Sequence, residues 1–457
     1  MLNKMKKSIA FFLKGGIILI NNRKGRLPMK IQRIALDGFK NLNNVNIAFS
    51  KITSLVALNN FGKSNVLSGI DFGIDFMKYN EEQRQNLMSL DNVMPINNAS
   101  LDKDFRYEIE MTTIIEAVKY RIIYGFTFGW LRTREDEANI KNEYLKVKVD
   151  EKGKKYNQLI NRQGQEAFYK SSETGRCTTP TMIGNVELVV NKLKAFDQLY
   201  YIEIIRKLND LKLYMENNLD PKEFYMPNPI ISKGSEYYID SHSLPRVIAK
   251  LKQINSGKFD LLLDAYKSLF PDIEDVIVRE IQVSSEGAIV VPDDVPFIVS
   301  DSIYLLFVRY KNLCRLIDFE AMSDGAKRVF MILTKIIMAS LEERNISLIA
   351  IEEPENSIHP SLFRTYLQII SDLLDDCKVI ITSHSPYIIS FMDLDSIYVG
   401  VHRDGGMVEF HGFRKNKEKM LEDDADSLDM GMGDYIFSML ADNESEIEGY
   451  LECDAVE

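Results

Sequence analysis

Cysteine is scarce in this chain. The 457 residues include four, Cys177, Cys314, Cys377 and Cys453, widely spaced and without a C-x-x-C pair. That argues against a disulfide framework or a cysteine-built structural zinc site and fits a reducing cytoplasm. Long apolar runs are missing as well. The stretch Ile9 to Ile20 is interrupted by Lys14, is too short to span a bilayer and has no small-residue cleavage site after it. We therefore expect a cytoplasmic protein with no membrane partner, an N-terminal extension over residues 1–28, and a folded part that begins near Met29. There is no internal repeat, and no heptad persists far enough for an extended coiled coil. Net positive charge is absent too. With 56 basic and 67 acidic residues the formal charge is −11, which excludes a surface coated uniformly for nucleic acid and leaves only local basic patches.

What remains is ordinary globular material, 45% hydrophobic and 27% charged, long enough for two or three structural units. Three stretches stand out from it. Ala57-Leu58-Asn59-Asn60-Phe61-Gly62-Lys63-Ser64-Asn65 follows the apolar run Ile52 to Val56 and opens an amphipathic segment. Read as strand, loop and helix, it is a phosphate-binding loop: backbone N–H groups face an anion, Lys63 neutralises it and the Ser64 hydroxyl is a ligand for Mg²⁺. Ala57 stands where the pattern has its first glycine, which matters only if that position needs a positive φ. The second stretch, Ser347 to Glu353, is a buried-strand pattern ending in two carboxylates, with Pro354 stopping the strand as they emerge. In an ATP-hydrolysing site one such acid holds Mg²⁺ and the other orients the attacking water. The third, Val379 to Pro386, is an apolar strand that delivers His384 at its C-terminal edge, where ligands of open α/β sheets bind.

The rest of the chain is read around these. Met29 to Phe49 alternates as two strands joined by a turn; Lys40 in that turn is either a surface lysine or a second cation for a phosphate. Helix is expected over 66–90 and two or three antiparallel strands over Phe105 to Phe128, with hairpins continuing from Lys141 to Gly164. Lys146, Lys148, Lys152, Lys154, Lys155 and Arg162 with Tyr144 and Tyr156 make this the most basic region. A solvated face is the default there, and nucleic acid the alternative partner. Helices are expected over 185–219 and from Leu244 to Phe270, a loop or lid from Pro221 to His242, and strands near 275–283, 288–291, 299–307 and 309–319. Ser323 and Gly325 open a further helix before Lys327 and Arg328, and His384 is followed by a helix and a strand at 396–401. From Glu418 onward fourteen acidic residues accompany one basic residue, around an apolar island at Tyr435 to Leu440. This reads as a short docked helix in an otherwise mobile acidic tail.

Taken together, these motifs resemble the ABC-type ATPases of the SMC/RecF class, and most closely the ATPase part of the OLD family, over Met29 to Asp75 and Glu320 to Val401. The resemblance implies an α/β P-loop NTPase fold of the ABC/SMC head type, with a mixed sheet, an antiparallel β subdomain and a helical insertion. It divides the chain into an N-terminal ATPase lobe (29–140), an insertion (141–319), a C-terminal ATPase lobe (320–417) and the acidic tail (418–457). It implies ATP and Mg²⁺ as ligands, Ser64 and Glu352 at the metal, and Glu353 and His384 as catalytic residues. Asn59, Asn60, Phe61, Gly62, Lys63, Ser64 and Asn65 with Lys40 would hold the nucleotide, and Ser323 and Gly325 of a signature motif would close on it from another subunit. The partner would then be a second copy in a homodimer or higher even oligomer, with a separately encoded effector such as a nuclease or toxin. Glu352 replaces the usual aspartate, and Ser323-Asp324-Gly325 the usual Ser-Gly-Gly. No Toprim nuclease domain is expected, since Asp393-Leu394-Asp395 has too little sequence around it. The alternatives are a nucleotide-locked assembly platform without catalysis, and a DNA-repair clamp of the RecF kind.

Overall fold

The computed structural model describes residues 29–59, 61–215, 230–232, 244–282, 297–299, 302–341, 346–374, 377–442 and 444–452. Asn60, residues 1–28, Cys453, His242 and the expected strand at 288–291 lie outside that set, as does most of the expected lid.

The N-terminal half builds one antiparallel sheet. Strand β1 (Lys30–Asp37) pairs with β2 (Val45–Ala48), whereas β3 (Ile52–Val56) leaves for a second sheet and runs into helix α1 (Lys63–Lys78), followed by α2 (Glu81–Met88). Strands β4 (Phe105–Ile115) and β5 (Val118–Phe128) form a hairpin on the other edge of β1. Their turn is Glu116-Ala117, both at positive φ, a primed turn without the usual glycine or asparagine. Strands β6 (Ile140–Val149), β7 (Asn157–Gln163), β8 (Glu166–Tyr169) and β9 (Thr179–Thr181) continue the same eight-stranded sheet without a break at residue 140.

Helix α1 lies between this sheet and the parallel one. Phe76 stacks on Phe128 and Phe126 with centroids 4.6 and 4.9 Å apart, and Phe72 meets Phe105 edge-on at 5.0 Å. Such pairs add directionality to simple burial. Gly73 permits the close approach: a Cβ there would fall 2.3 Å from the buried Tyr107 ring. The last carbonyls of α1 are satisfied by side chains. Buried Arg84 donates to Phe76 O (2.9 Å) and Asn191 Nδ2 to Met77 O (3.0 Å).

The segment expected to be helical over 185–219 contains two short helices, α3 (Val189–Leu193) and α4 (Ile202–Asn209), and then a strand, β10 (Lys212–Met215). Leu213 and Met215 pack against one core and Tyr214 against the other, so a period of two prevails over the helical pattern once a sheet edge is there to be extended. Glu143, buried inside the antiparallel sheet, accepts from Val189 N (2.7 Å) and Val190 N (3.0 Å) and so caps α3. Strand β11 (Ile230–Ser232) precedes α5 (Leu244–Ile254) and α6 (Ser256–Leu269). These split one expected helix at Asn255, whose side chain caps Lys258 N at 3.1 Å. Then come β12 (Ile273–Gln282), β13 (Phe297–Val299), β14 (Ser302–Tyr310) and the two-residue β15 (Ile317–Asp318); of the strand expected over 309–319 only the end of β14 and β15 form.

Helix α7 (Asp324–Leu341), β16 (Ile346–Glu352), α8 (Pro360–Leu373), β17 (Lys378–Ser383), α9 (Pro386–Phe391), β18 (Ile397–Arg403) and β19 (Met407–Gly412) complete the second sheet, ordered β10-β16-β17-β3-β18-β19. It is parallel except for β19. Its strands alternate between two cores. Leu55, Leu348, Ala350 and Ile380 face the α1 side, while Val56, Ile349, Ile351, Val379 and Ile381 face α7 and α8. The chain is thus an α/β fold with a covered, mostly parallel sheet and an antiparallel sheet beside it, as the motifs implied. The acidic segment has the short docked helix expected around Tyr435 to Leu440 and two further helices that were not expected. It forms α10 (Glu418–Ser427), α11 (Met432–Asp442) and α12 (Glu444–Ile447), with Leu421, Ala425, Ile436, Met439, Leu440 and Ile447 buried. The acids point outward, so composition concealed an amphipathic pattern.

The basic region is also redistributed. Arg162 is fully buried and donates to Gly164 O, Gly184 O and Asn185 O, so it belongs to the core rather than a surface. Lys146 and Lys148 lie over the rings of Tyr144 and Tyr156. Beside them, Arg33, Glu110, Arg121, Asp150 and Lys119 alternate in sign across the sheet.

Gly73→Ala should destabilise the protein. The helix-propensity gain is at most about 1 kcal/mol, against about 1–3 kcal/mol for forcing a methyl into a packed ring. Denaturant unfolding should show a net loss.

Candidate functional site

Register brings the three motif strands level. Glu352 pairs with Thr382 and Thr382 with Leu55, so the residues next in each strand leave the sheet at the same height. Because β17 lies between β16 and β3, the two-acid turn, His384 and the loop after Val56 emerge side by side. Two backbone bonds extend the ladder past the strand ends: Glu353 N donates to Thr382 O (2.9 Å) and Ala57 N to Ser383 O (3.4 Å).

The loop is shaped for an anion. Gly62 is left-handed (φ 70, ψ 10) and precedes α1 with no side-chain cap and no acid in the first turn, so the first N–H groups of the helix are left for a ligand. Ala57 is not among the positive-φ residues, so its Cβ costs nothing there. Space for that Cβ comes from the neighbouring strand: a Cβ on Gly400 would lie 2.9 Å from it. Lys63 is buried, and its Nζ donates to Ala57 O (2.7 Å) and Leu58 O (2.9 Å). Burial lowers its pKa, while Glu353 and Glu355 pull it back up. Ser64 is exposed at the helix start, Asn59 is exposed ahead of the turn, and Phe61 packs against the His402 ring at 3.8 Å. Lys40, at φ 50, donates to Asn65 Oδ1 (3.2 Å), and Asn65 donates to Asn41 (2.7 Å), so the β1–β2 turn flanks the first turn of α1.

Glu353, like Lys40, is a strained residue of the site. It is left-handed (φ 44) immediately before Pro354, a conformation costing about 1–3 kcal/mol that persists only where surroundings over-determine it. Arg328 supplies that constraint, donating to the carbonyls of Glu353 (3.0 Å) and Glu352. The Glu353 carboxylate is held by Asn356 Nδ2 (2.7 Å) and approached by His384 Nδ1 at 2.9 Å, off the hydrogen-bond axis. Lys63, Glu353 and His384 therefore converge, with Glu352 one residue behind. Among the described residues no hydrogen bond joins Ser323 or Gly325 to the loop at 57–65; Ser323 caps α7 through Ala326 N (3.4 Å). Asp395 pairs with Lys415 (2.6 Å).

The sequence patterns named neither Arg328, inside the helix-opening motif, nor Glu355, one residue past Pro354, as site residues. A third acid at the spacing Glu352, Glu353, Glu355 was the available signal.

A charged lysine, a hydrogen-bonded carboxylate and an imidazole at the mouth of an uncapped helix can bind a polyphosphate and orient a water against it. Residues 233–390, about a third of the chain, match the family described as "AAA domain, putative AbiEii toxin, Type IV TA system". Over that stretch the chain is similar to AAA domains. No curated protein matches it in sequence. Solved structures it resembles include an SMC head domain from Thermotoga maritima (TM-score 0.39, 10% identity, 84% of this chain and 99% of that one). Another is an SMC head with an extended coiled coil from Pyrococcus furiosus, bound to the C-terminal domain of ScpA (0.42, 13%, 87% and 100%). The recombination mediator RecF with ATP is a third (0.38, 12%, 85% and 100%).

Gly400→Ala should destabilise the protein by about 1–3 kcal/mol through the clash with Ala57. Adding Ala57→Gly should recover part of that loss, leaving the contact with Phe410. Additive losses in the double variant would show that the two positions are not coupled.

Proposed function

We propose that this chain is an ATP-binding and ATP-hydrolysing ABC-type ATPase whose nucleotide-dependent pairing of two copies controls a separately encoded effector, a nuclease or toxin, in bacterial antiphage defence. The observation that carries the ATPase part is the convergence of Lys63, Glu353 and His384 at one level of the parallel sheet. The effector part is supported by the resemblance of the motifs to the OLD family and by the match to a family described with a toxin–antitoxin system.

In this reading the N–H groups of Gly62 to Asn65 and the Lys63 ammonium bind the β- and γ-phosphates of ATP, with Lys63 exchanging its loop carbonyls for phosphate oxygens. Lys40 and Asn65 flank the nucleotide. Ser64 and Glu352 would hold Mg²⁺, which would neutralise phosphate charge there. The Glu353 carboxylate, aimed by Asn356, takes a proton from the attacking water, and His384 stabilises charge developing on the γ-phosphate side. Among the described residues Ser323 and Gly325 make no hydrogen bond to their own P-loop, which fits a role on the nucleotide of a second copy. Two copies then share two nucleotides, and hydrolysis removes the interaction that favours the closed pair.

Glu353→Gln should bind ATP normally, lose about 100- to 10,000-fold in kcat and accumulate as a nucleotide-bound dimer in light scattering. Lys63→Ala should lose ATP binding. Wild-type turnover in the Glu353 variant would remove that residue from the base role, and a protein that binds ATP without hydrolysing it would favour an assembly platform instead.

A further inference from the structure

The turn after Glu353 carries a third acid that the reaction above does not use. Glu355 Oε1 accepts from Ser383 Oγ and from the backbone N–H of His384, the latter at 3.3 Å. Ser383 Oγ accepts from Ser385 N (3.0 Å), and Ser383 O accepts from Ala57 N. The other carboxyl oxygen, Oε2, is buried with no hydrogen-bond partner among the described residues. With Asn356, Phe363, His384 and Tyr387 the side chain lines a cavity of about 330 Å³.

Position in the turn gives this contact its meaning. Strand β17 ends at Ser383, and among the described residues the sheet holds the peptide leading into His384 only at its carbonyl, through Ala57 N (3.4 Å), leaving its N–H to Glu355. Glu353 and Glu355 flank Pro354 at the start of a single short 3-10 turn, closed by Asn356 N donating to Glu353 O at 3.1 Å. One rigid turn therefore holds both ends of the Glu353–His384 approach, the carboxylate through Glu353 and the histidine backbone through Glu355. We propose that Glu355 is a positioning residue: by accepting from Ser383 and His384 it fixes the peptide that aims the imidazole at Glu353. The inference rests on the ATPase reading above and deepens it. Burial raises the pKa of Glu355, and the bonds from Ser383 and His384 pull it down. A carboxyl in that environment works as a hydrogen-bond acceptor, a role that an uncharged amide oxygen also fills.

The test separates acceptor from charge. In Glu355→Ala, steady-state kcat should fall about 10- to 100-fold while binding of a fluorescent ATP analogue stays within about threefold, since misplacement by an ångström acts on the reaction and not on phosphate binding. Glu355→Gln should keep most of the wild-type kcat, and Ser383→Ala should fall between. Wild-type turnover in Glu355→Ala overturns the proposal, and so does a Glu355→Gln variant as slow as the alanine, which would make the charge itself the active feature. If Glu355→Ala does not fold, Glu355→Gln and Ser383→Ala carry the test. A wild-type protein that neither binds nor hydrolyses ATP would overturn the ATPase reading instead, an outcome that these ratios do not imitate.

Discussion

The parallel register of β16, β17 and β3 is the constraint on which the site depends. Glu352, Thr382 and Leu55 form one cross-strand row, and a shift by a single residue in any of them would turn its functional end to the wrong face. The register is held by burial on both sides, because successive residues of each strand belong to different cores. Slipping one strand would exchange the two sets, leaving Ile349, Ile351 and Ile381 in the space shaped for Leu348, Ala350 and Ile380.

Around that row, local strain and local restraint are paired. The left-handed Glu353 is tied by Arg328 from α7, by Thr382 O from β17 and by Asn356 within its own turn. Three separate elements thus converge on one residue. Arg328 links α7, the helix opened by Ser323 and Gly325, to the backbone of the two-acid turn. On the other flank, α1 joins the sheets: its first turn follows the Gly62 loop and its glycine-notched side rests on the aromatic surface of the antiparallel sheet.

Much of the site was legible from local pattern. The P-loop, the strand ending in two acids and the strand ending in histidine each carry their own signal, since apolar runs that stop abruptly at polar residues mark sheet ends. The β10 strand was not legible, because Lys212 to Met215 becomes a strand only where β16 offers an edge. Neither was the docking of the acidic segment outside the island at Tyr435 to Leu440, where buried Leu421 and Ala425 are spaced for a helix beneath a surface of carboxylates. Arg162 looked like part of a basic face and is instead a buried donor to loop carbonyls, a distinction that depends on which side of β7 is covered.

By itself, then, the amino-acid order determined which residues have chemistry to offer and which strands and helices present them, because those follow from short-range periodicity and turn stereochemistry. Tertiary structure alone decided that Lys63, Glu353 and His384, separated by up to 321 positions, face one another. It also decided that Arg328 and Glu355 support them and that Gly400 makes room for Ala57. Those facts arise from strand order and register, which are set by how two cores close on a sheet rather than by any neighbouring residues in the chain.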